Sequence, residues 1–187
     1  MASTPIGEPA PLTGVASLLA CAVVALVARS ASAEDGASKQ KDEEQYIEHT
    51  IILGVGGAGE LELADGALHA GANVMVEWDA IDDWLELEIE ASILSADRGT
   101  EIPVDLTIKK PFHLTRWAEV MIGVGPEVVQ VSNPTTKATY FGASAVLDFM
   151  FWPTQRFGLW VEPSYDLIAR GGLSSGIGST GGLLIGW

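Results

Sequence analysis

The chain has almost no cysteine, because its 187 residues include only Cys21. That residue lies in an apolar run over residues 15–27, which is followed by the small residues 31–33. The pattern predicts a cleavable signal peptide over residues 1–33, although residues 1–14 carry no Lys or Arg, and the run is too short for a transmembrane helix. An exported domain without cysteine cannot be stabilised by disulfides, so its structure must be closed in another way.

Basic residues are also scarce. The sequence has 10 Lys and Arg against 25 Asp and Glu, which gives a formal net charge of −15. A protein this acidic is repelled by a phosphate backbone, so nucleic acid is not expected as a partner. Residues 34–46 are mostly charged or small and lack branched apolar side chains, which predicts a disordered leader. Residues 47–187 are left as a single domain.

Helix-length apolar runs are absent from this domain, and turn signals recur at short intervals instead. The pair Asp65-Gly66 between two alternating segments is a strong signal for a β-hairpin. The pattern predicts eight strands, an even number, as a closed antiparallel barrel with both chain ends on one side requires. The predicted strands are residues 47–63, 67–79, 84–95, 101–112, 117–131, 138–152, 156–168 and 176–187.

Apolar and polar residues alternate along most of these strands, as Leu85, Leu87 and Ile89 do with Glu86 and Glu88. Alternation separates two faces but does not say which one lies inside. A soluble barrel buries its apolar face, as a lipocalin-like ligand-binding protein of the periplasm would. A membrane barrel turns that face to the lipid.

Glycine is abundant in the first and last predicted strands, which meet where a barrel closes. Strand glycines permit tight coiling and the close approach of other groups. They are therefore predicted to leave space in the lumen for Trp160 and Met75.

Tryptophan marks one end of the predicted barrel. Five of the six tryptophans fall at that end of their strands, and an indole, apolar with a polar N–H, suits a membrane–water interface. Most predicted strands are also long enough to cross a bilayer. These features favour a membrane barrel with an interface girdle formed by Trp78, Trp84, Trp117, Trp152 and Trp187.

If the apolar face contacts lipid, the opposite face fills the lumen with charge. An eight-stranded barrel has an interior just wide enough to be filled by side chains. We therefore expect an ion-pair network in which Lys109 contacts Glu86, Glu88 or Glu119, with a cation site or a narrow cation path as a second hypothesis. The basic residues of the lumen are predicted to be Lys109 and Arg156. The acidic residues are predicted to be Glu77, Glu86, Glu88, Glu90, Asp105, Glu119, Glu127, Asp148, Glu162 and Asp166.

The strand number, the aromatic girdle, the signal peptide and the terminal Trp187 resemble those of small bacterial outer-membrane β-barrels of the OmpA/OmpX type. The resemblance covers residues 47–187 and rests on architecture, not on a catalytic motif. It implies an all-β, eight-stranded antiparallel up-and-down transmembrane barrel in the outer membrane, surrounded by outer-membrane lipids. It also implies that the barrel-assembly machinery recognises the C-terminal strand ending at Trp187. The short loops depart from the long extracellular loops of the adhesins in that family.

Signals for catalysis or metal binding are weak. Lipid-modifying barrels of this size use a His and a Ser two residues apart, and none of the three histidines has a serine at that spacing. Three histidines without a ligand cluster do not indicate a metal site. We expect a non-enzymatic, structural role in the envelope without a cofactor or metal, with weak passage or binding of small cations as an added hypothesis. The soluble lipocalin-like barrel is the alternative, and a lipid-modifying enzyme is a less favoured one.

Overall fold

The computed structural model describes residue 47 and residues 49–96 and 99–187. The signal peptide and the charged leader predicted for residues 1–33 and 34–46 lie outside the described residues. In the part of the chain that is described, no helix is long and apolar enough to cross a membrane. Regular structure there consists of β-strands.

Eight antiparallel strands form one closed barrel, in which each strand pairs with its neighbours in sequence and the last strand pairs with the first. The strands are β1 (Ile51–Glu62), β2 (Leu68–Ile81), β3 (Leu85–Ala96), β4 (Gly99–Thr115), β5 (Ala118–Ser132), β6 (Lys137–Phe151), β7 (Phe157–Ala169) and β8 (Leu173–Gly186). The predicted eight-stranded antiparallel barrel is therefore confirmed. Closure gives every strand two neighbours and leaves no exposed sheet edge.

The two ends of the barrel carry different connections. The Trp end has the start of β1, the end of β8 and the connections 82–84, 116–117 and 152–156. The open end has the described connections 63–67, 133–136 and 170–172. Asp65 and Gly66 shape the turn between β1 and β2: Gly66 has a positive φ of 75°, and the N–H of Ala67 donates to Oδ1 of Asp65 at 2.9 Å. The loops at this end are short, as predicted.

Three strand starts differ from the prediction by two residues or more, and the other five differ by one. β1 begins at Ile51 instead of residue 47, because the N–H of Ile47 bonds to the carbonyl of Arg116, outside the β1 ladders. β4 begins at Gly99 and β8 at Leu173, earlier than predicted, since each extends the ladder with the strand before it. These additions lengthen the barrel at its open end.

Glycines of β1 and β8 leave space in the lumen for large side chains. A Cβ on Gly54 would lie 2.6 Å from Cγ of Met75, and a Cβ on Gly182 would lie 2.8 Å from Cζ3 of Trp160. Met75 and Trp160 are both buried. The prediction that these strands leave room for the two large side chains is confirmed.

Three prolines interrupt the ladders without changing their register. Proline has no N–H to donate, so a gap in pairing is expected where it occurs inside a strand. The β3–β4 ladder is interrupted at Pro103, the β4–β5 ladder at Pro126 and the β6–β7 ladder at Pro163. Each ladder resumes in the same register, because closure fixes the strand from both sides.

The faces of the barrel are inverted relative to a soluble protein. Ile122 on β5 points outward and is 55% exposed, whereas Glu88 on β3 points inward and is 1% exposed. Exposed large apolar side chains occur on all eight strands and form an outer belt. The lipocalin-like alternative requires this apolar face to line the interior, and the structure places it on the outside.

Candidate functional site: the acidic lumen

Lys109 is the buried cation of the lumen. It lies on β4, opposite Gly123 of β5, and four other strands direct a carboxylate at its ammonium group. The distances from Nζ are 2.5 Å to Glu162, 2.8 Å to Glu88, 2.9 Å to Asp148 and 3.2 Å to Glu77. All of these side chains are buried. The three shorter contacts are charge-assisted hydrogen bonds, which are strong, and they connect β4 to β3, β6 and β7. The ion pair with Glu77 connects β4 to β2.

The observed partners of Lys109 differ from the expected ones. Of the three partners predicted, only Glu88 contacts its ammonium group among the described residues. Glu119 faces His113, with 3.3 Å between its Oε1 and Nδ1 of the histidine. Asp148 lies two strands away from Lys109 in the sheet. The two can still make contact, because the long lysine side chain extends across the narrow lumen.

Lys109 leaves much of the negative charge of the lumen uncompensated. Neither carboxylate oxygen of Glu77 has a hydrogen-bond partner within the described part of the chain. A second buried group, formed by Glu88, Glu90 and Glu162, brings carboxylate oxygens within 4.8 Å of one another. Like charges this close repel one another strongly. The excess negative charge therefore has to be neutralised by protons or cations, or solvated by water.

The predicted acidic residues share the inner face of the barrel. Eight of the ten are buried, and two, Asp105 and Glu119, are half-buried. Some of the carboxylates have hydroxyl donors, as Asp166 has in Ser164 at 3.1 Å and Glu88 has in Thr107 at 3.1 Å. The carboxylates extend from the Lys109 cluster toward the open end.

Apolar side chains fill the rest of the lumen at the Trp end. The buried cluster consists of Ile52, Met75, Met121, Met150, Trp152, Trp160 and Leu184. The cavity at this end, lined in part by His49, Glu119 and Trp152, has a volume of about 20 Å³. A cavity of this size holds about one water molecule. Side chains therefore fill most of the lumen at the Trp end.

Trp152 is not part of the outer girdle, and this prediction was wrong. It is 3% exposed, and its ring stacks on His49 with the centroids 4.0 Å apart. Phe151 points outward, so alternation turns the next residue inward, and Gly158 leaves the space that the indole occupies. The other four predicted girdle residues are exposed on the outside at this end: Trp78, Trp84, Trp117 and Trp187.

Arg156 does not lie in the lumen, and this prediction was also wrong. It is exposed in the connection 152–156, one residue before β7 begins at Phe157. The turn is fixed by Thr154, whose Oγ1 accepts a hydrogen bond from the N–H of Phe157 at 2.9 Å. The predicted strand started one residue too early, which assigned an inward direction to a turn residue.

A basic residue that the sequence reasoning missed, Arg170, closes part of the open end. Its guanidinium donates to both carboxylate oxygens of Glu101, at 2.7 and 3.3 Å. Burial alone would lower the pKa of Arg170, but the hydrogen bond and the charge of Glu101 more than offset it, so the pKa is raised. Arg170 lies between two predicted strands, where alternation does not predict the direction of a side chain. Glu101 could have been found, because it has the same strand parity as Asp105.

A cavity of about 450 Å³ opens beside this ion pair at the open end, lined in part by Glu62, His69 and Glu101. The sequence linked none of the histidines to a ligand cluster. The structure nevertheless brings one donor atom each of Glu60, His69 and Glu101 within 4.8 Å of the others. The open end therefore contains a cavity with polar side chains in its lining, and beside it a group of nitrogen and oxygen atoms of the kind that ligate metals.

Comparison with known proteins identifies the fold. No family model and no curated protein sequence matches the chain. Three similar solved structures are those of Neisserial surface protein A (12% identity, TM-score 0.57, 73% of this chain and 96% of that one), the outer membrane protein OprG from Pseudomonas aeruginosa (11%, 0.57, 78% and 99%) and the attachment invasion locus protein Ail of Yersinia pestis (14%, 0.50, 75% and 99%). The chain therefore has the fold of small outer-membrane β-barrels.

Proposed function

We propose that the chain is a non-enzymatic integral protein of the bacterial outer membrane, with a structural role in the envelope and a lumen closed to ions. The observation that carries this proposal is the outer apolar belt around a charged interior. Soluble monomers rarely expose contiguous apolar patches of more than a few hundred Å², and this belt runs around all eight strands. In a bilayer, the belt contacts acyl chains, and the closed sheet pairs its backbone groups internally.

The outer-membrane lipids are therefore the immediate surroundings of the barrel in this proposal. The Trp end faces the periplasm in this proposal, since the start of β1 and the end of β8 both lie there. Until β8 pairs with β1, its free edge offers a surface to the barrel-assembly machinery. After closure that edge is occupied: the N–H of Trp187 bonds to the carbonyl of Ile51 at 3.0 Å, and its own carbonyl accepts from the N–H of Thr50 at 2.7 Å.

The packing of the lumen supports the closed state. The apolar cluster and the Lys109 network occupy the half of the lumen next to the Trp end, where a cavity of about 20 Å³ has room for about one water molecule. Any ion path would have to displace buried side chains such as Trp160. A structural role follows, in which the network holds five strands together inside the membrane.

The local structure around a possible nucleophile supports a non-enzymatic role. Residues 172–176 match the pattern Gly-x-Ser-x-Gly, which in hydrolases forms a turn between a strand and a helix. Here Ser174 lies in β8 and its hydroxyl donates to Oε1 of Glu62 at 2.8 Å. A serine that donates to a carboxylate within a strand is held as a structural hydrogen-bond donor.

Membrane location is tested by fractionation and by gel migration. We expect the native chain to sediment with outer-membrane vesicles in a sucrose gradient and to resist extraction by alkaline carbonate. The refolded protein should migrate faster before boiling than after boiling in detergent, because the closed barrel is compact. Recovery in the soluble periplasmic fraction would contradict the proposal.

Cation passage is the second candidate, and the surplus of carboxylates in the lumen favours it. Planar-bilayer recordings of the refolded protein separate the two functions. We expect no channel steps from the wild type. Trp160→Ala, in which part of the apolar packing has been removed, is recorded for comparison. Cation-selective conductance of the wild-type protein would overturn the closed lumen and support passage.

A further inference from the structure

Three side chains with metal-binding chemistry meet at the open end of the lumen. Glu60 on β1 and His69 on β2 are direct partners in the ladder, and Glu101 extends toward them from β4. One donor atom from each lies within 4.8 Å of the other two. His69 lies on β2 and Glu101 on β4, with β3 between them. The side chains meet because the sheet curves as it closes into a barrel.

The imidazole of His69 points to a missing ligand. The residue is 6% exposed, and its Nδ1 has no hydrogen-bond partner within the described part of the chain. Oε2 of Glu101 lies 3.8 Å from it, which is too long for a hydrogen bond. Buried polar atoms are nearly always satisfied, and an orphan of this kind requires an explanation.

The spacing of the donors suits a small cation. Zn²⁺ binds nitrogen and oxygen ligands at about 2.0–2.2 Å, so two ligands in tetrahedral geometry lie roughly 3.3–3.6 Å apart. Nδ1 of His69 and Oε2 of Glu101 are only slightly farther apart, at 3.8 Å. Gly176 leaves room for the third ligand, because a Cβ there would lie 2.7 Å from Oε1 of Glu60. A small movement of Glu60 would complete the contact.

Access and charge are consistent with a bound divalent ion. The cavity of about 450 Å³ includes His69 and Glu101 in its lining, so an ion with water ligands can enter from the open end. Arg170 donates one hydrogen bond to each carboxylate oxygen of Glu101. Each oxygen can accept more than one such contact, so Glu101 can still bind a cation. Arg170 carries one positive charge, and Glu60, Glu62 and Glu101 carry three negative ones, so the formal charge of the four groups is −2.

We propose that Glu60, His69 and Glu101 bind a divalent transition cation such as Zn²⁺ at the open end of the lumen, with water completing its coordination. The imidazole ligand favours Zn²⁺ and similar metals, whereas Mg²⁺ and Ca²⁺ prefer sites made of oxygen alone. The proposal goes beyond the structural role in the envelope. It depends on the barrel fold and not on whether the lumen conducts.

Isothermal titration of the chelator-treated, refolded protein with ZnCl₂ at neutral pH tests the site. The wild type should bind Zn²⁺ at a single site, and His69→Gln and Glu60→Gln should each lower the affinity at least about tenfold. Mg²⁺ and Ca²⁺ should bind at least about tenfold more weakly than Zn²⁺. The matched control is His113→Gln, because His113 also faces carboxylates but lies at the Trp end, so this variant should bind Zn²⁺ as the wild type does.

Heat-modifiable migration of each sample shows that the barrel is folded, so that a failure of the fold is distinguished from a failure of the site. Absence of Zn²⁺ binding by the folded wild-type barrel would overturn the proposal without any variant. Binding that is lost in His113→Gln and kept in His69→Gln would overturn it as well, since the metal would then be at the opposite end. Loss in the two variants of the site alone supports it.

Discussion

Gly123 and Lys109 face each other directly across β5 and β4, and a Cβ on Gly123 would lie 2.8 Å from Cγ of Lys109. The glycine leaves the space in which the aliphatic stem of the lysine lies. From that position the ammonium group contacts its four carboxylates. The position of this buried charge therefore depends on a residue without a side chain.

Replacement of Lys109 by methionine should strongly destabilise the barrel, because four buried carboxylates lose their shared cation. Removing one partner of a buried ion pair typically costs about 3–5 kcal/mol. Urea unfolding in lipid vesicles, followed by gel migration, measures the loss. Lys110→Met is the matched control, since Lys110 is the next residue of β4 and its Nζ donates to the carbonyl of Asp83 at 2.8 Å outside the carboxylate cluster. Equal losses in the two variants would contradict a structural role for the network.

A methyl group on Gly123 should also destabilise the barrel. Its Cβ would lie 2.8 Å from the stem of Lys109 and 2.8 Å from Cγ2 of Val146, so both side chains would have to move. Overpacking of this kind costs about 1–3 kcal/mol. Gly172→Ala serves as the control, because nothing lies within 4 Å of a Cβ there. The same unfolding assay should show no measurable loss for Gly172→Ala, and a neutral Gly123→Ala would refute the steric argument.

The membrane environment predicts a depth-dependent penalty for charge on the outer belt. Val124 lies near the middle of β5 and is exposed, whereas Leu114 lies next to the Trp end of β4. An arginine at the bilayer midplane costs about 2–4 kcal/mol, and one near the interface costs about 0–1 kcal/mol. In lipid vesicles, Val124→Arg should therefore unfold at much lower urea concentration than Leu114→Arg. In a soluble barrel, both changes would be close to neutral.

Tryptophan fluorescence should separate Trp117 from Trp152. Trp117 is exposed on the outside of the barrel, and Trp152 is buried against His49. In variants that keep a single tryptophan, lipids brominated near the headgroup should quench Trp117 strongly and Trp152 weakly. Equal quenching of the two would place Trp152 in the girdle after all.

The contact between His49 and Trp152 predicts a pH effect on stability. Burial lowers the pKa of His49, and the hydrogen bond that Nε2 donates to the carbonyl of Gln155 at 2.9 Å offsets this only in part. The unfolded chain therefore takes up the proton first, and stability falls as the pH drops below the unfolded pKa of about 6.5. The stabilising effect of the neutral imidazole is complete above that pH.

The measurement compares the wild type with His49→Gln, because carboxylates that titrate in both proteins cancel in the difference. The free energy of unfolding of the wild type should decrease more than that of the variant on acidification from about pH 8 to pH 5. Parallel pH profiles would show that the burial of His49 does not affect stability.

The barrel and the inward direction of most charged residues could be predicted because they depend on local order. Strand alternation has a period of two, so each correctly placed strand assigns its residues to a face. This logic placed Glu88, Asp148 and Glu162 inside. It also contained the correct answer for Trp152, whose neighbour Phe151 points outward, but the row of tryptophans outweighed it.

What the sequence determined by itself is the number of strands, the closed architecture and the separation of an apolar face from a charged one. Only the tertiary structure decided which charges meet: Lys109 with Asp148 across the lumen, Arg170 with Glu101 at its open end, and His69 beside Glu101. These contacts join residues on strands that do not pair with one another, or residues of a turn. Their distances depend on how the whole sheet curves and closes. The alternation of residues along a single strand carries no information about that.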